Sequence, residues 1–204
     1  MNEPPISRGF RGRGGGSNVR VPPGQHLVED FPVLSAGPTP EPDLASWRLS
    51  LDDGDTPLGQ WSWAEFNALM QTDLTVDIHC VTTWSKLDTN WRGVSIDTLM
   101  EAAGLTEPPA PYVLAHCDGG YTTNVPVEDL LDGKAMIATQ YDGEPLYPEH
   151  GGPARLLVPH LYFWKSAKWI QTLQFVDPEV PGFWEENGYH IYGDPWREQR
   201  YDGD

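Results

Sequence analysis

At 204 residues and a formal net charge of −17, the chain has the size of one domain with a substantial core. Its acidity argues against a general nucleic-acid binder and against a protein that adheres to anionic membranes. Two cysteines allow one disulfide at most, and no apolar run is long enough for membrane insertion.

Residues 1–19, MNEPPISRGFRGRGGGSNV, are rich in Gly and Arg and cannot build a core, so a disordered tail is expected ahead of a single domain over 20–204. An RGG-like nucleic-acid arm is the other reading, which the acidic body disfavours. The arginines there are not followed by the apolar stretch of a secretory signal, and the expectation is a cytoplasmic, monomeric protein. Residues 20–42 form an extended, proline-punctuated arm without a helix, carrying the polar pair Gln25 and His26. Residues 46–55 read as a strand closing in an Asp-Asp-Gly-Asp turn. Ser62 and Glu65 then make a capping box that opens a helix through Phe66, Leu69 and Met70.

The next stretch, 74–105, reads as a strand, a long turn and a capped helix. Leu74, Val76, Ile78 and Cys80 fall on one face at period two, with Thr75, Asp77, His79 and Val81 on the other. Cys80 stands where the apolar strand runs into a polar turn, a place where a thiolate can meet a ligand. Ser95 caps the helix and Gly104 ends it. Further strands are expected at 112–116, 121–125, 135–140, 155–158 and 169–176, with a short helix from Pro126 towards Gly133. Many short strands with few helices mean a mixed α+β domain, not a doubly wound sheet.

Three groups of residues could carry chemistry. Cys80 offers a soft sulfur ligand, or else is a buried structural thiol. Residues 150–170, HGGPARLLVPHLYFWKSAKWI, combine glycines that let backbone approach a ligand with Arg155, Lys165 and Lys168, a set suited to an anionic group. The dipeptides His79-Cys80 and His116-Cys117 suggest a zinc or copper site instead, although neighbours in a strand point to opposite faces and no paired-ligand spacing is present. A nucleophilic Cys80 activated by His116 or His160 lacks a recognisable orienting group, and a binding module that uses the nine tryptophans stays open. A Cys80–Cys117 disulfide is disfavoured by the cytoplasmic expectation.

HCVTTWSKLDTNWRGV resembles the cofactor segment of the sulfite-oxidase-like molybdopterin enzymes, Cys-Val-x-x-Trp-Ser followed by Trp-x-Gly-Val. The likeness extends over residues 22–201 and is nearer to the small single-domain branch that contains the protein-methionine-sulfoxide reductases. It implies a sulfite-oxidase-type molybdopterin-binding domain with molybdenum-molybdopterin as cofactor and Cys80 as the metal ligand. It also implies cofactor contacts from Gln25, His26, His79, Cys80, Val81, Thr82, His150, Arg155, Phe163, Trp164 and Lys165. His150 stands where relatives often have Asn, and Phe163-Trp164 replace a smaller pair. The twin-arginine export signal of the sulfoxide-reducing relatives is not seen. Sulfite oxidases place an arginine at the position of Thr83, so reduction of a neutral S- or N-oxide is expected over sulfite oxidation. Electrons would pass to or from a separate protein, since no haem, flavin or iron–sulfur pattern occurs in the sequence.

Overall fold

The computed structural model describes residues 20–204; the expectation for 1–19 lies outside the described residues. From the N-terminal side, the arm contributes only β1 (His26–Leu27), and the expected strand with its Asp-Asp-Gly-Asp turn is β2 (Arg48–Asp53). That turn leads directly into β3 (Thr56–Ser62), a strand masked in the sequence by Pro57 and Gly59. α1 (Trp63–Ala68) opens on the expected capping box, with Ser62 accepting from the Glu65 amide and the Glu65 carboxylate accepting from Ser62. The helix stops at Ala68, short of the expected Met70, because Leu69 is already extended.

β4 (Thr72–His79) ends one residue before Cys80, and the expected long turn between Cys80 and α2 is absent. Trp84–Ser95 is instead β5, the longest strand. Thr89, Trp91 and Gly93 are buried on it while Asp88 and Asn90 are exposed, the alternation of a strand with one wet face. α2 (Ile96–Ala102) is capped by Ser95, whose hydroxyl accepts from the Thr98 amide. β6 (Tyr112–Cys117), β7 (Thr122–Pro126), β8 (Met136–Tyr141), β9 (Glu144–Pro145), β10 (Arg155–Leu157) and β11 (Ile170–Val176) complete the strands. α3 (Phe183–Glu186) is a single turn in the closing segment.

The strands make two sheets. One runs β3-β2-β11-β6-β7; its β2–β11 pair is parallel and joins Ser50 to Thr172. The other is built on β5, which pairs with β4 antiparallel, with β1 parallel at Trp84 and Ser85, and with β8 from Trp91 onward. β10 and β9 extend β8. The main core includes Leu49, Leu51, Phe66, Leu99, Val113, Ile137, Leu156 and Phe175. A second, smaller cluster of Ile78, Cys80, Trp84, Trp91, Leu157 and Phe163 gathers around the start of β5. Each such side chain removed from water contributes about 1.5–3 kcal/mol. The second cluster is the one that places Cys80.

Candidate active site

Cys80 is the first residue beyond β4, and the chain turns sharply there. The Cys80 amide donates to Trp84 O at 2.8 Å and the Thr83 amide to Cys80 O at 3.0 Å. Thr83 has φ +76°, left-handed backbone that a β-branched residue adopts only under constraint. The turn leaves Cys80 Sγ 3.1 Å from Thr82 Oγ1. Burial pushes the Cys80 thiol up from its ordinary pKa, opposed by the Thr82 hydrogen bonds and the positive charge of Arg200. Left alone, the sulfur keeps its proton at neutral pH; a metal cation would hold it as thiolate.

Beside Cys80 lies a cavity of about 550 Å³. The 80–82 loop and Trp84 line it, together with the 118–121 turn, Arg155, Phe163 and Trp164, residues 166–169, and the aromatics Trp184 and Tyr189. Arm residues Phe31, Pro32 and 34–40 line it too. Lys168 ties the arm down by donating to Leu34 O at 2.7 Å.

Several buried polar atoms here have no partner. Arg155 is buried, donates from Nη1 to His150 O at 2.8 Å and from Nη2 to Ser166 O at 2.5 Å, yet its Nε–H is unmatched. Its guanidinium carbon lies 4.2 Å from the Phe163 ring centroid. Burial pulls its pKa down to about 9, which leaves it charged at neutral pH. Trp84, a lining residue, has its Nε1–H likewise buried and unmatched. Burial, helped by Arg155, lowers Lys168 to about 8. His150, expected as a contact, is not itself on the lining: its ring stacks at 4.1 Å on Phe31, which is, with its Nδ1 unpartnered, and burial followed by Arg155 lowers its pKa. Buried donors without acceptors cost on the order of 1–3 kcal/mol each. A flat heteroaromatic with acceptor atoms and an anionic end would match the unpaired donors, the aromatic lining and the two cations, and a metal on it would match the sulfur. The residues present fit such a group.

The other expected site residues divide. Val81, Thr82, Phe163 and Trp164 line the cavity with Cys80 and Arg155. Gln25 donates from Nε2 to Cys80 O at 3.1 Å, and the His26 amide donates to Thr83 O at 2.8 Å while its side chain is exposed. His79 is buried with Nδ1 2.8 Å from Ser85 Oγ, and burial lowers its pKa. It packs edge-on to Trp196 rather than lining the cavity.

Lys165, expected as a cofactor contact, is not on the cavity lining. Its fully buried ammonium pairs with Glu185 at 2.6 Å and donates to Asn124 O and Oδ1 and to Ile191 O, so its donors are spent inside the protein. The Gly151-Gly152 pair is outside the lining as well. A Cβ on Gly152 would sit 2.1 Å from Leu146 O, and one on Gly151 would sit 3.0 Å from Lys168 Cα, so these glycines admit the protein's own chain. Thr83 is exposed and outside the lining. The His-Cys pairs do not converge: His116 Nε2 lies 2.8 Å from Gln174 Oε1, Cys117 belongs to the main core, and both cysteines are free. Among the described residues no three His, Cys, Asp or Glu side chains gather as metal ligands. No helix among them is long and apolar enough to cross a membrane. Trp84 and Arg200 join the site without having been expected as contacts. Trp84 had a signal, being part of the Cys-Val-x-x-Trp-Ser pattern; Arg200 had none.

Residues 36–184 match the family model described as the oxidoreductase molybdopterin binding domain. The chain is 46% identical over 187 residues to the uncharacterized oxidoreductase YuiH of Bacillus subtilis, covering 91% of this chain and 93% of that protein. It is 31% identical over 153 residues to a putative protein-methionine-sulfoxide reductase subunit of Azospira oryzae, covering 75% and 58%. Among solved structures it is similar in fold to the sulfane dehydrogenase SoxCD of Paracoccus pantotrophus. The TM-score there is 0.60 at 22% identity, over 70% of this chain and 41% of that one.

Proposed function

The chain belongs to the oxidoreductase molybdopterin-binding domain family, and on that premise we propose that it reduces neutral S- or N-oxides with molybdenum-molybdopterin held in the Cys80 cavity. The observation that carries this reading is that Cys80 lines one cavity together with Arg155 and Trp84, each of which also has a buried N–H without a partner. Bound there, the cofactor would supply a two-electron centre for oxygen-atom transfer.

The chain's own residues would do the rest. Cys80 would give the single protein sulfur ligand. Arg155 and Trp84 would donate to cofactor acceptors, and Lys168 would add charge near its anionic end, exchanging its bond to Leu34 O for one to the cofactor. Phe163, Trp164, Trp184 and Tyr189 would pack against the pterin or the apolar part of the substrate and exclude water. The Phe31 side of the arm would cover the cavity.

The substrate class rests on two supports. A relative 31% identical is named a putative protein-methionine-sulfoxide reductase subunit, and the lining away from Arg155 and Lys168 is largely apolar and aromatic, which suits an uncharged oxide. In that reaction a pair of electrons and a pair of protons convert the oxide to its parent compound and water. The electrons would come from a separate electron-transfer protein. Thr83 supports the choice less than its sequence position implies, because it is exposed and outside the lining. The test is steady-state kinetics on metal-replete protein, comparing sulfoxides and N-oxides plus reduced viologen with sulfite plus an artificial acceptor. Oxide reduction is expected to dominate; efficient sulfite oxidation with negligible oxide reduction would contradict the proposal.

A further inference from the structure

The loop carrying Cys80 is held at its carbonyls from outside, and the two segments that hold it lie far apart in sequence. From the arm, Gln25 Nε2 donates to Cys80 O and the His26 amide to Thr83 O. From the closing segment, Arg200 Nη1 donates to Val81 O at 2.6 Å, across 119 residues of chain. The Arg200 guanidinium also lies over the Tyr162 ring, 5.0 Å from its centroid, and its Nη2 is buried without a partner.

Arg200 is itself firmly mounted. Its amide donates to Asp204 Oδ2 at 2.9 Å and Glu198 O at 2.8 Å, and its carbonyl accepts from the His190 amide. The arm packs against the same place: a Cβ on Gly24, which has φ +69°, would sit 2.8 Å from Glu198 Oε1 and 3.2 Å from Arg200 Nη2. A guanidinium suits this site because one edge can bond a carbonyl while its face lies on an aromatic ring, which an ammonium cannot do.

We propose that Arg200 is a positioning residue for the Cys80 thiol. By holding the Val81 carbonyl it sets the plane of the peptide between Val81 and Thr82, and Thr82 bears the hydroxyl that meets Sγ at 3.1 Å. Losing that bond frees the peptide to rotate, and the sulfur loses its fixed direction towards the cavity. The proposal rests on the reading of Cys80 as metal ligand, but the thiol can be followed without any cofactor.

The experiment uses Arg200→Met in a Cys117→Ser background, with Arg200→Lys as the substitute if the first variant does not fold. Iodoacetamide labelling of Cys80 is timed in cofactor-free protein, and the electron paramagnetic resonance spectrum is recorded on loaded protein. Labelling is expected to accelerate about tenfold or more, the scale of a lost charge-assisted hydrogen bond, with the spectrum altered and circular dichroism unchanged. Wild-type labelling rate together with a wild-type spectrum would overturn the proposal. If labelling accelerates while even the parent protein takes up no molybdenum, the positioning role stands and the ligand role of Cys80 fails. If molybdenum binds through Cys80 and labelling and spectrum are unmoved, the ligand role stands and the positioning role fails.

Discussion

A lysine ammonium without access to water must have its charge met inside the protein, and Lys165 meets it with Glu185, Asn124 and the Ile191 carbonyl. Glu185 also accepts from Trp164 Nε1 and Thr123 Oγ1 at 2.8 and 3.0 Å. The group therefore joins β7, the cavity wall at Trp164 and the closing segment. Removing one partner of such a pair strands the other charge, which costs about 3–5 kcal/mol. Lys165→Met is accordingly expected to lower stability by that order in urea unfolding, with Glu185→Gln in the same chain restoring part of it. Unchanged stability with loss of cofactor would return Lys165 to the role its position suggested. Nothing local distinguishes it from Lys168: both lie in one aromatic, basic segment, and only the short turn at Phe163–Lys165 sends the first inward and leaves the second on the cavity. Cys80 was legible because the residues around it form a pattern. Arg200 was not, because its meaning lies in a carbonyl distant in sequence.

Among elements, β5 matters most and was the least legible. Lys86, Asp88 and Asn90 have poor strand propensity, so the segment reads as a turn, and in the structure Asp88 takes φ +54° within the strand. Pairing with β4 on one edge and with β1 and β8 on the other overrides that preference. The buried alternation at Thr89, Trp91 and Gly93 was the available signal. The β5–β8 register shifts between Arg92 and Gly93, and a Cβ on Gly93 would sit 2.1 Å from Ile137 O and 2.7 Å from Ala138 Cα. Both contacts are backbone, so relief requires the strands to separate. Gly93→Ala is expected to cost about 1–3 kcal/mol as an overpacking change, read by urea unfolding; wild-type stability would show that the strands can yield. The capping box at Ser62 and the cap at Ser95 were readable because they depend on residues three apart and on nothing else in the chain.

At the scale of the whole molecule, two sheets share the main core, a smaller cluster gathers around the start of β5, and the cavity lies where the loop after β4 meets the arm and the closing segment. The α+β class was readable from the spacing of short strands. The pairing of β2 with β11 was not, since no local pattern reports a parallel pair between Ser50 and Thr172. Both flanking segments bear on one loop: the arm through Gln25 and His26, the closing segment through Arg200. That convergence explains how a single sulfur can be aimed by a chain with few helices. A net charge of −17 would favour an electron partner with a basic face, with association that weakens as salt rises. The proposed function depends on one bond, from Cys80 to molybdenum, and the direct measurement is X-ray absorption at the molybdenum edge on the loaded parent protein, Cys80→Ser and Cys117→Ser. The parent and Cys117→Ser should show one protein sulfur in addition to the dithiolene pair, and Cys80→Ser should lack it and be inactive. A full sulfur shell in Cys80→Ser, or its loss in Cys117→Ser, would contradict that bond.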